Sequence, residues 1–386
     1  MITSSQQKAS MSERQFPFEL PVVSKQLFEI AAAQVPLEQE SEFSNALGPQ
    51  FLKQTVYSHL SGFVYRNLSP QKETFDTKLW QQLELQYVQI LRGNHQFLAL
   101  HQQMVQLLES NNIAFAVLKG LDLLFRTYRE EGIRHISDID VLIAPKDLSR
   151  VTELFENAGF RCKQSIDKSS FHEKHFQLHA PLQASLNGLN IDVHILLFDT
   201  FLGFEFDTEA LLNKRQLIEW NQQKTYVLAA NDAALFNLLH LYVHLDKGNH
   251  FKMSSFIDVQ RTLHELNYPT NKAQYSTAIQ EKIEYVIDCM VWLGLLKNSY
   301  LPQRKKAPAR YFFYLLFFLQ TLQPTFIQTL RYKFFPRLFL YSFSWKTLPL
   351  LFHEAFPSKR YLLYGAPNRS YLGAWIFRLK HFTRKK

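Results

Sequence analysis

The chain has 386 residues, with 43 Lys+Arg against 34 Asp+Glu for a formal charge of +9, 46% hydrophobic and 15% aromatic residues, and only 12 glycines. Such a composition can build a sizeable core and is not that of a disordered chain, while the scarcity of glycine speaks against an enzyme built on glycine-rich phosphate loops. Two cysteines, Cys162 and Cys289, with no further thiol at metal-binding spacing, exclude a disulfide framework and a zinc finger and point to a reducing, cytoplasmic compartment.

Residues 1–18 read as a flexible polar leader without the apolar stretch of a signal peptide. Residues 19–112 form an N-terminal helical region, with short amphipathic helices at 26–33 and 51–60 and a long one at 77–110, where Leu79, Leu83, Val88, Leu91, Leu98, Val105 and Leu108 fall at near-helical spacing. Asn111-Asn112 ends that helix. A core at 113–200 follows. An apolar run at 113–118 ends in Lys119-Gly120 and gives way to helical spacing over 121–128, which predicts strand, tight turn, helix. Over 138–144, Asp138, Asp140 and Leu142 share one face and Ile139, Val141 and Ile143 the other, the pattern of a strand with a polar mouth. A helix at 147–158 comes next, then extended chain after Gly159. Further strands are expected at 175–180 and at 190–198, where Ile191, Val193 and Ile195 oppose Asp192 and His194. The order predicts an α/β unit with a mixed sheet.

Residues 201–300 read as a helical region, with helices at 208–218, 231–245, 254–266 and 278–296. Residues 301–386 carry 16 Lys+Arg, one acid (Glu354) and 22 aromatic residues, so this segment is +15 and the rest of the chain −6. Its longest apolar run, 311–319, is too short for a bilayer span of about 18–20 residues. Cations interleaved with aromatic rings suit an anionic membrane surface, on which the protein would sit peripherally at the inner membrane face. They also suit RNA, or rings packed on the helical region with the cations solvated.

Asp138-x-Asp140 sets two carboxylates on one face about 6–7 Å apart along a strand. Hard oxygen ligands so placed suit Mg²⁺, and Asp192, polar within a neighbouring apolar strand, is the third candidate ligand. Spacing alone leaves equal room for two solvated carboxylates on an edge strand. Lys119-Gly120, between strand and helix, lets phosphates approach backbone N–H groups and the positive helix end.

With Leu118-Lys119-Gly120, Arg134, Asp138-Ile139-Asp140-Val141-Leu142 and Asp192-Val193-His194 in this order, the chain resembles the polymerase-beta-type nucleotidyltransferases. More narrowly it resembles the uncharacterised nucleotidyltransferase family of that superfamily, which reads LKG…R…DIDxL…vDxH. Lys-Gly stands where the superfamily has Gly-Ser, and the 17 residues between Gly120 and Asp138 exceed the usual gap. The resemblance implies an α+β fold, a polymerase-beta-type nucleotidyltransferase core with a mixed sheet flanked by N- and C-terminal helical regions. It also implies transfer of an NMP from an NTP such as ATP to a hydroxyl or phosphate acceptor, with two Mg²⁺ ions, or Mn²⁺ in their place.

Asp138, Asp140 and Asp192 would be the metal-binding and catalytic residues. Lys119 and Gly120 would cradle the triphosphate, and Arg134 would either clamp the γ-phosphate or pair with the aspartates. His194 would orient Asp192, contact substrate, or serve only structure. His244 and Asp258 fall where the likeness extends into the helical region. His240 and His244, at i and i+4, have zinc-ligand spacing but lack the Glu of a metalloprotease. His172, His175 and His179 either line the acceptor side or lie on the surface. A role accessory to surface-polysaccharide or natural-product synthesis fits a membrane-facing tail. An NTP-dependent toxin or tRNA modifier and a non-catalytic nucleotidyltransferase-like binding module are the alternatives.

Overall fold

A computed structural model of the chain describes residues 27, 29–33, 48–164, 178–199, 202, 204–246, 252–268, 271–293, 295–296, 370, 372–374 and 376. The leader at 1–18, His172, His175 and nearly all of the basic aromatic segment lie outside the described residues.

After two short helices, α1 (Pro49–Tyr57) and α2 (Ser61–Leu68), the chain enters α3 (Thr77–Ser110). The Asp76 carboxylate starts α3 by accepting from the backbone N–H groups of Lys78 and Leu79, both at 3.0 Å, an N-cap worth about 1 kcal/mol. At 34 residues this helix is long enough, about 50 Å at 1.5 Å per residue, to serve two cores. Trp80 and Leu83 join the helical side, and Phe97, Leu98, Met104, Val105 and Leu108 lie under the sheet.

Next come β1 (Phe115–Leu118), α4 (Lys119–Leu123), β2 (Ile139–Ile143), α5 (Leu148–Asn157), β3 (Arg161–Gln164), β4 (Leu182–Leu186) and β5 (Leu189–His194). They are followed by α6 (Thr208–Asn213), β6 (Gln216–Trp220), β7 (Gln223–Val227), α7 (Ala230–Asp246), α8 (Ser254–Thr262) and α9 (Thr277–Trp292). The strands form one mixed seven-stranded sheet in the order β3-β4-β5-β2-β1-β7-β6, parallel at β2–β5 and β1–β7. The fold is therefore the expected α+β class with a mixed sheet.

Alternation along the central strands divides the apolar residues between two cores. Phe115, Val117, Ile139, Val141, Ile143, Ile191 and Val193 face α3, Phe125 after α4, and α5. Ala116, Leu118, Leu142 and Ala144 face the cluster built by α1, α2, α7, α8 and α9. Asp138, Asp140 and Asp192 belong by alternation to this second face, so they look toward the C-terminal helices.

One helix and four strands depart from the expectation: β4, β6 and β7 are not among the expected strands, and the strand read over 175–180 is not formed in its described part. The helix read over 208–218 stops at Asn213 and becomes β6, which pairs with β7 through Asn221 and Gln222, both with left-handed φ (51° and 59°). The β4–β5 hairpin turns at Asn187 and Gly188, at φ 52° and 82°. The described part of the strand read over 175–180 is irregular: the His179 carbonyl accepts from Ile195 N at 2.8 Å outside any ladder.

Candidate functional site

The sheet brings the first two motifs together through register. β2 and β5 run parallel with Asp140 directly opposite Asp192, and Leu118 of β1 stands opposite Asp140 on the other side. Because paired residues of adjacent strands point to one face, both carboxylates share a side with Asp138, two residues before Asp140.

The 17-residue gap before Asp138 is occupied by built structure. α4 widens into a π-helical turn, Leu124–Tyr128, that ends at a left-handed Arg129. The loop that follows is then pinned by Asn94 from the middle of α3. Its Nδ2 donates to the carbonyls of Glu131 (2.5 Å) and Arg134 (2.7 Å), and its Oδ1 accepts from Ile136 N (3.0 Å). Asn94 is fully buried, and these three bonds fix the approach to Asp138.

A cavity of about 290 Å³ opens over this face. The sheet side supplies Lys119, Gly120, Arg134, Ser137, Asp138 and Asp140, and the helical side supplies Asn237, His240 and His244 of α7, Lys252, and Ser255 and Asp258 of α8. Asp192 is half-buried beside it rather than in its wall.

Asp140 is the most heavily engaged carboxylate. Its Oδ1 accepts from Lys119 Nζ at 2.7 Å and lies 2.8 Å from His194 Nε2. Burial by itself would raise the Asp140 pKa, but the Lys119 ammonium and the His194 bond override it and hold the carboxyl well below the usual range. Burial lowers His194 to about 4, so its ring is neutral and donates its Nε2 proton to Asp140. Asp192 accepts from Gln183 Nε2 at 2.8 Å. Burial raises its pKa; the Gln183 bond opposes this, and the charges of Asp140 and Asp138 add to it. Asp138 accepts from Ser137 Oγ at 2.9 Å, and Ser137 Oγ in turn receives Lys252 Nζ at 2.9 Å.

Arg134 lines the cavity, but the carboxylate it bonds is Asp258 and none of Asp138, Asp140 and Asp192. Its Nε lies 3.0 Å from both oxygens of Asp258 and its Nη2 2.8 Å from Oδ2, in a buried fork that joins the loop before β2 to α8. Tyr128 donates its hydroxyl to Asp258 Oδ1 at 2.7 Å. Gly120 carries this guanidinium against its Cα: a Cβ there would stand 2.6 Å from Arg134 Nη1. The glycine thus has a packing reason in addition to the phosphate-approach reason read from its position, and Asp258 holds Arg134.

On α7, Asn237, His240 and His244 occur at i, i+3 and i+7 and form one polar stripe on a helix otherwise lined with buried Ala, Leu and Phe. His240 and His244 approach at 3.2 Å between their Nε2 atoms, and burial together with nearby Lys119 drives the His240 pKa well below its ordinary value. Asn237 Nδ2 is buried without a hydrogen-bond partner and lines the cavity. The sequence reading did not single out Asn94, Ser137, Gln183, Asn237 or Lys252. The polar stripe on an apolar helix was the available signal for Asn237. Lys252 had none. His179 turns to Asp199, Nδ1 to Oδ1 at 2.5 Å, with its ring 5.0 Å from that of His194.

As they stand, the described side chains gather no group of three or more His, Cys, Asp or Glu tight enough to hold a metal ion. Asp140 is engaged by Lys119 and His194, and Asp192 by Gln183. The donor set nonetheless fits a hard divalent cation: the charges of Asp140 and Asp138 raise the proton affinity of Asp192, and an ammonium already sits on Asp140 as a cationic stand-in. Among the described residues no helix is long and apolar enough to cross a membrane.

A family model described as an uncharacterised nucleotidyltransferase matches residues 48–296, well over half of the chain. Two solved structures of the antibiotic-resistance factor ANT(2'')-Ia, one in solution and one in complex with adenylyl-2''-tobramycin, are 11% identical to it at a TM-score of 0.28; each covers 54% of this chain, and they are matched over 92% and 99% of their own length. That similarity is too slight to bear on substrate. No curated protein matches the chain.

Proposed function

The chain belongs to the uncharacterised nucleotidyltransferase family, and from that premise we propose that it transfers an NMP from an NTP such as ATP to a hydroxyl or phosphate acceptor, releasing pyrophosphate, in a Mg²⁺-dependent reaction. The observation that carries this reading is the in-register pairing of Asp140 with Asp192 on parallel strands, on the face that also presents Asp138 to a cavity lined by lysines. Asp138, Asp140 and Asp192 would hold the magnesium. The ion, when bound, supplies charge neutralisation at the transferred phosphoryl group and lowers the pKa of the attacking hydroxyl.

The protein's own groups divide the remaining work. Lys119, at the head of α4, and Lys252, across the cavity, are the cations available to a triphosphate. Arg134 acts as a positioning residue: its bond to Asp258 sets the loop that delivers Asp138, and it rests against Gly120. Neutral His194 donates to Asp140 and keeps that carboxylate ionised and oriented. Asp192, whose pKa is raised, is suited to take the proton of the acceptor hydroxyl. The stripe Asn237, His240 and His244 faces the same cavity from α7 and offers polar contacts to nucleotide or acceptor. Residues 301–386, with 16 Lys+Arg against one acid, would bring the enzyme to an anionic lipid surface.

The test is pyrophosphate release from NTP with Mg²⁺, compared between the full chain and Asp138→Asn. Asp138 is half-exposed, so the variant should fold normally and lose at least about 100-fold in kcat, beyond the roughly 10–100-fold that even an outer-shell partner of a metal costs. Unchanged turnover would remove Asp138 from the reaction.

A further inference from the structure

The ion pair inside the cavity carries a consequence for the order in which the site fills. Lys119 Nζ lies 2.7 Å from Asp140 Oδ1, with the lysine side chain 21% and the aspartate side chain 5% exposed, so the contact is largely shielded from water. The same oxygen is shared with His194. Asp138 is served differently: Lys252 reaches it only through Ser137 Oγ. Lys119 also holds a left-handed backbone, φ 51°, a conformation that a residue with a β-carbon rarely adopts. That conformation aims its side chain from the end of β1 across to β2.

We infer that Lys119 is an internal counter-ion that competes with the divalent cation for Asp140, so that the metal gains Asp140 only when a triphosphate is present to receive the displaced ammonium. The inference rests on the proposed metal role of Asp140. A divalent cation and an ammonium both seek the carboxylate, and both cannot lie against one buried oxygen without strong repulsion. Without a triphosphate, the anion that the ammonium bonds is Asp140. Once a triphosphate lies at the head of α4, the lysine exchanges one oxyanion for another and frees the aspartate. Such a device suppresses idle metal occupancy and makes metal and nucleotide binding mutually reinforcing, as linkage requires.

The experiment titrates Mn²⁺ into the full chain without nucleotide and follows the free ion by electron paramagnetic resonance. Lys119→Met should bind Mn²⁺ about tenfold or more tightly than the unmodified chain, within the usual range of coupling factors. Lys119→Gly, which takes the left-handed backbone without strain, should show the same gain and guards against a folding defect in the first variant. Lys252→Met removes an equal charge from the same cavity without a direct contact on Asp140, and should gain less than about threefold. The Asp140→Asn change, alone or added to Lys119→Met, should remove the tight site.

Equal affinity in the Lys119 variants and the unmodified chain, with Asp140→Asn still abolishing binding, overturns the inference and leaves the metal role of Asp140 standing. An equal gain from Lys252→Met reduces the effect to bulk charge and also overturns it. Tight Mn²⁺ binding that survives Asp140→Asn overturns the inference together with the metal role on which it rests.

Discussion

The buried fork between Arg134 and Asp258 invites the most quantitative test. Asp258→Ala removes the carboxylate but leaves the guanidinium in place, 11% exposed at its side chain, with its Nη1 against Gly120 and bonded to the His135 carbonyl at 3.1 Å. Burial alone would lower the arginine's pKa, and Asp258 is what reverses that and raises it. Stripped of its partner, the charge has no compensation, and such a loss costs about 3–5 kcal/mol. Tyr128 loses its acceptor as well, adding about 1 kcal/mol. Equilibrium urea unfolding should therefore show Asp258→Ala losing a large part of a typical domain's stability. The double variant Arg134→Leu with Asp258→Leu should recover most of it, because an apolar pair of similar bulk avoids the desolvation problem. A single-variant loss below about 1 kcal/mol, or a double variant no better than the single, would refute the buried-pair reasoning. The double variant also separates the two roles read for Arg134. If the arginine only positions the loop, KM for the NTP stays within a few-fold while kcat falls; a large rise in KM would return Arg134 to the phosphates.

Two further outcomes follow from the same geometry and from burial. Gly120→Ala should cost about 1–3 kcal/mol in urea unfolding, because its Cβ would meet Arg134 Nη1 at 2.6 Å and that guanidinium is fixed by Asp258; a neutral result would mean that Arg134 moves freely. His101, fully buried with Nε2 2.9 Å from Thr225 Oγ1, has its pKa lowered by burial from 6.5 to about 4. Between those values the unfolded chain binds a proton that the folded chain does not. Stability should fall as pH drops from 6.5 toward 4, by roughly 3 kcal/mol from this residue. His101→Gln should flatten that slope in urea titrations across the window, and an unchanged slope would show that His101 titrates normally.

What was legible in the sequence was whatever lay within one element. Asp140 and Asp192 stood out because each interrupts an apolar alternation, and Thr77–Ser110 stood out by its spacing. The β6–β7 hairpin did not, because its turn is Asn221-Gln222, where the left-handed pair is made without the glycine that usually marks it. β4 is different, since Asn187-Gly188 is a strong hairpin signal, but the strand before it offers little contrast between its faces. Partners across the fold left no local trace. Arg134 and Asp258 are 124 residues apart and Lys252 and Ser137 are 115 apart, and neither hydrophobic period nor motif spacing records such a meeting.

Several locally unfavourable features converge on one cavity. Lys119 holds a left-handed backbone, three aspartates crowd one sheet face, and Asn237 Nδ2 and His194 Nδ1 are buried without hydrogen-bond partners. Each costs about 1–3 kcal/mol by itself. A sequence shaped by stability alone would relieve them cheaply, with glycine or asparagine at position 119 and an apolar residue at 237. Features of both kinds occur elsewhere among the described residues too: Arg129, Asn221 and Gln222 hold left-handed backbones, and Gln54 Oε1, Arg215 Nε and Gln260 Oε1 are buried without hydrogen-bond partners. What distinguishes the cavity is the kind of residue that meets there: lysine, aspartate, histidine and asparagine are groups that a ligand bringing charge and hydrogen bonds would satisfy. The metal-bound triphosphate proposed for this site would supply both: cations for the carboxylates and anions for Lys119.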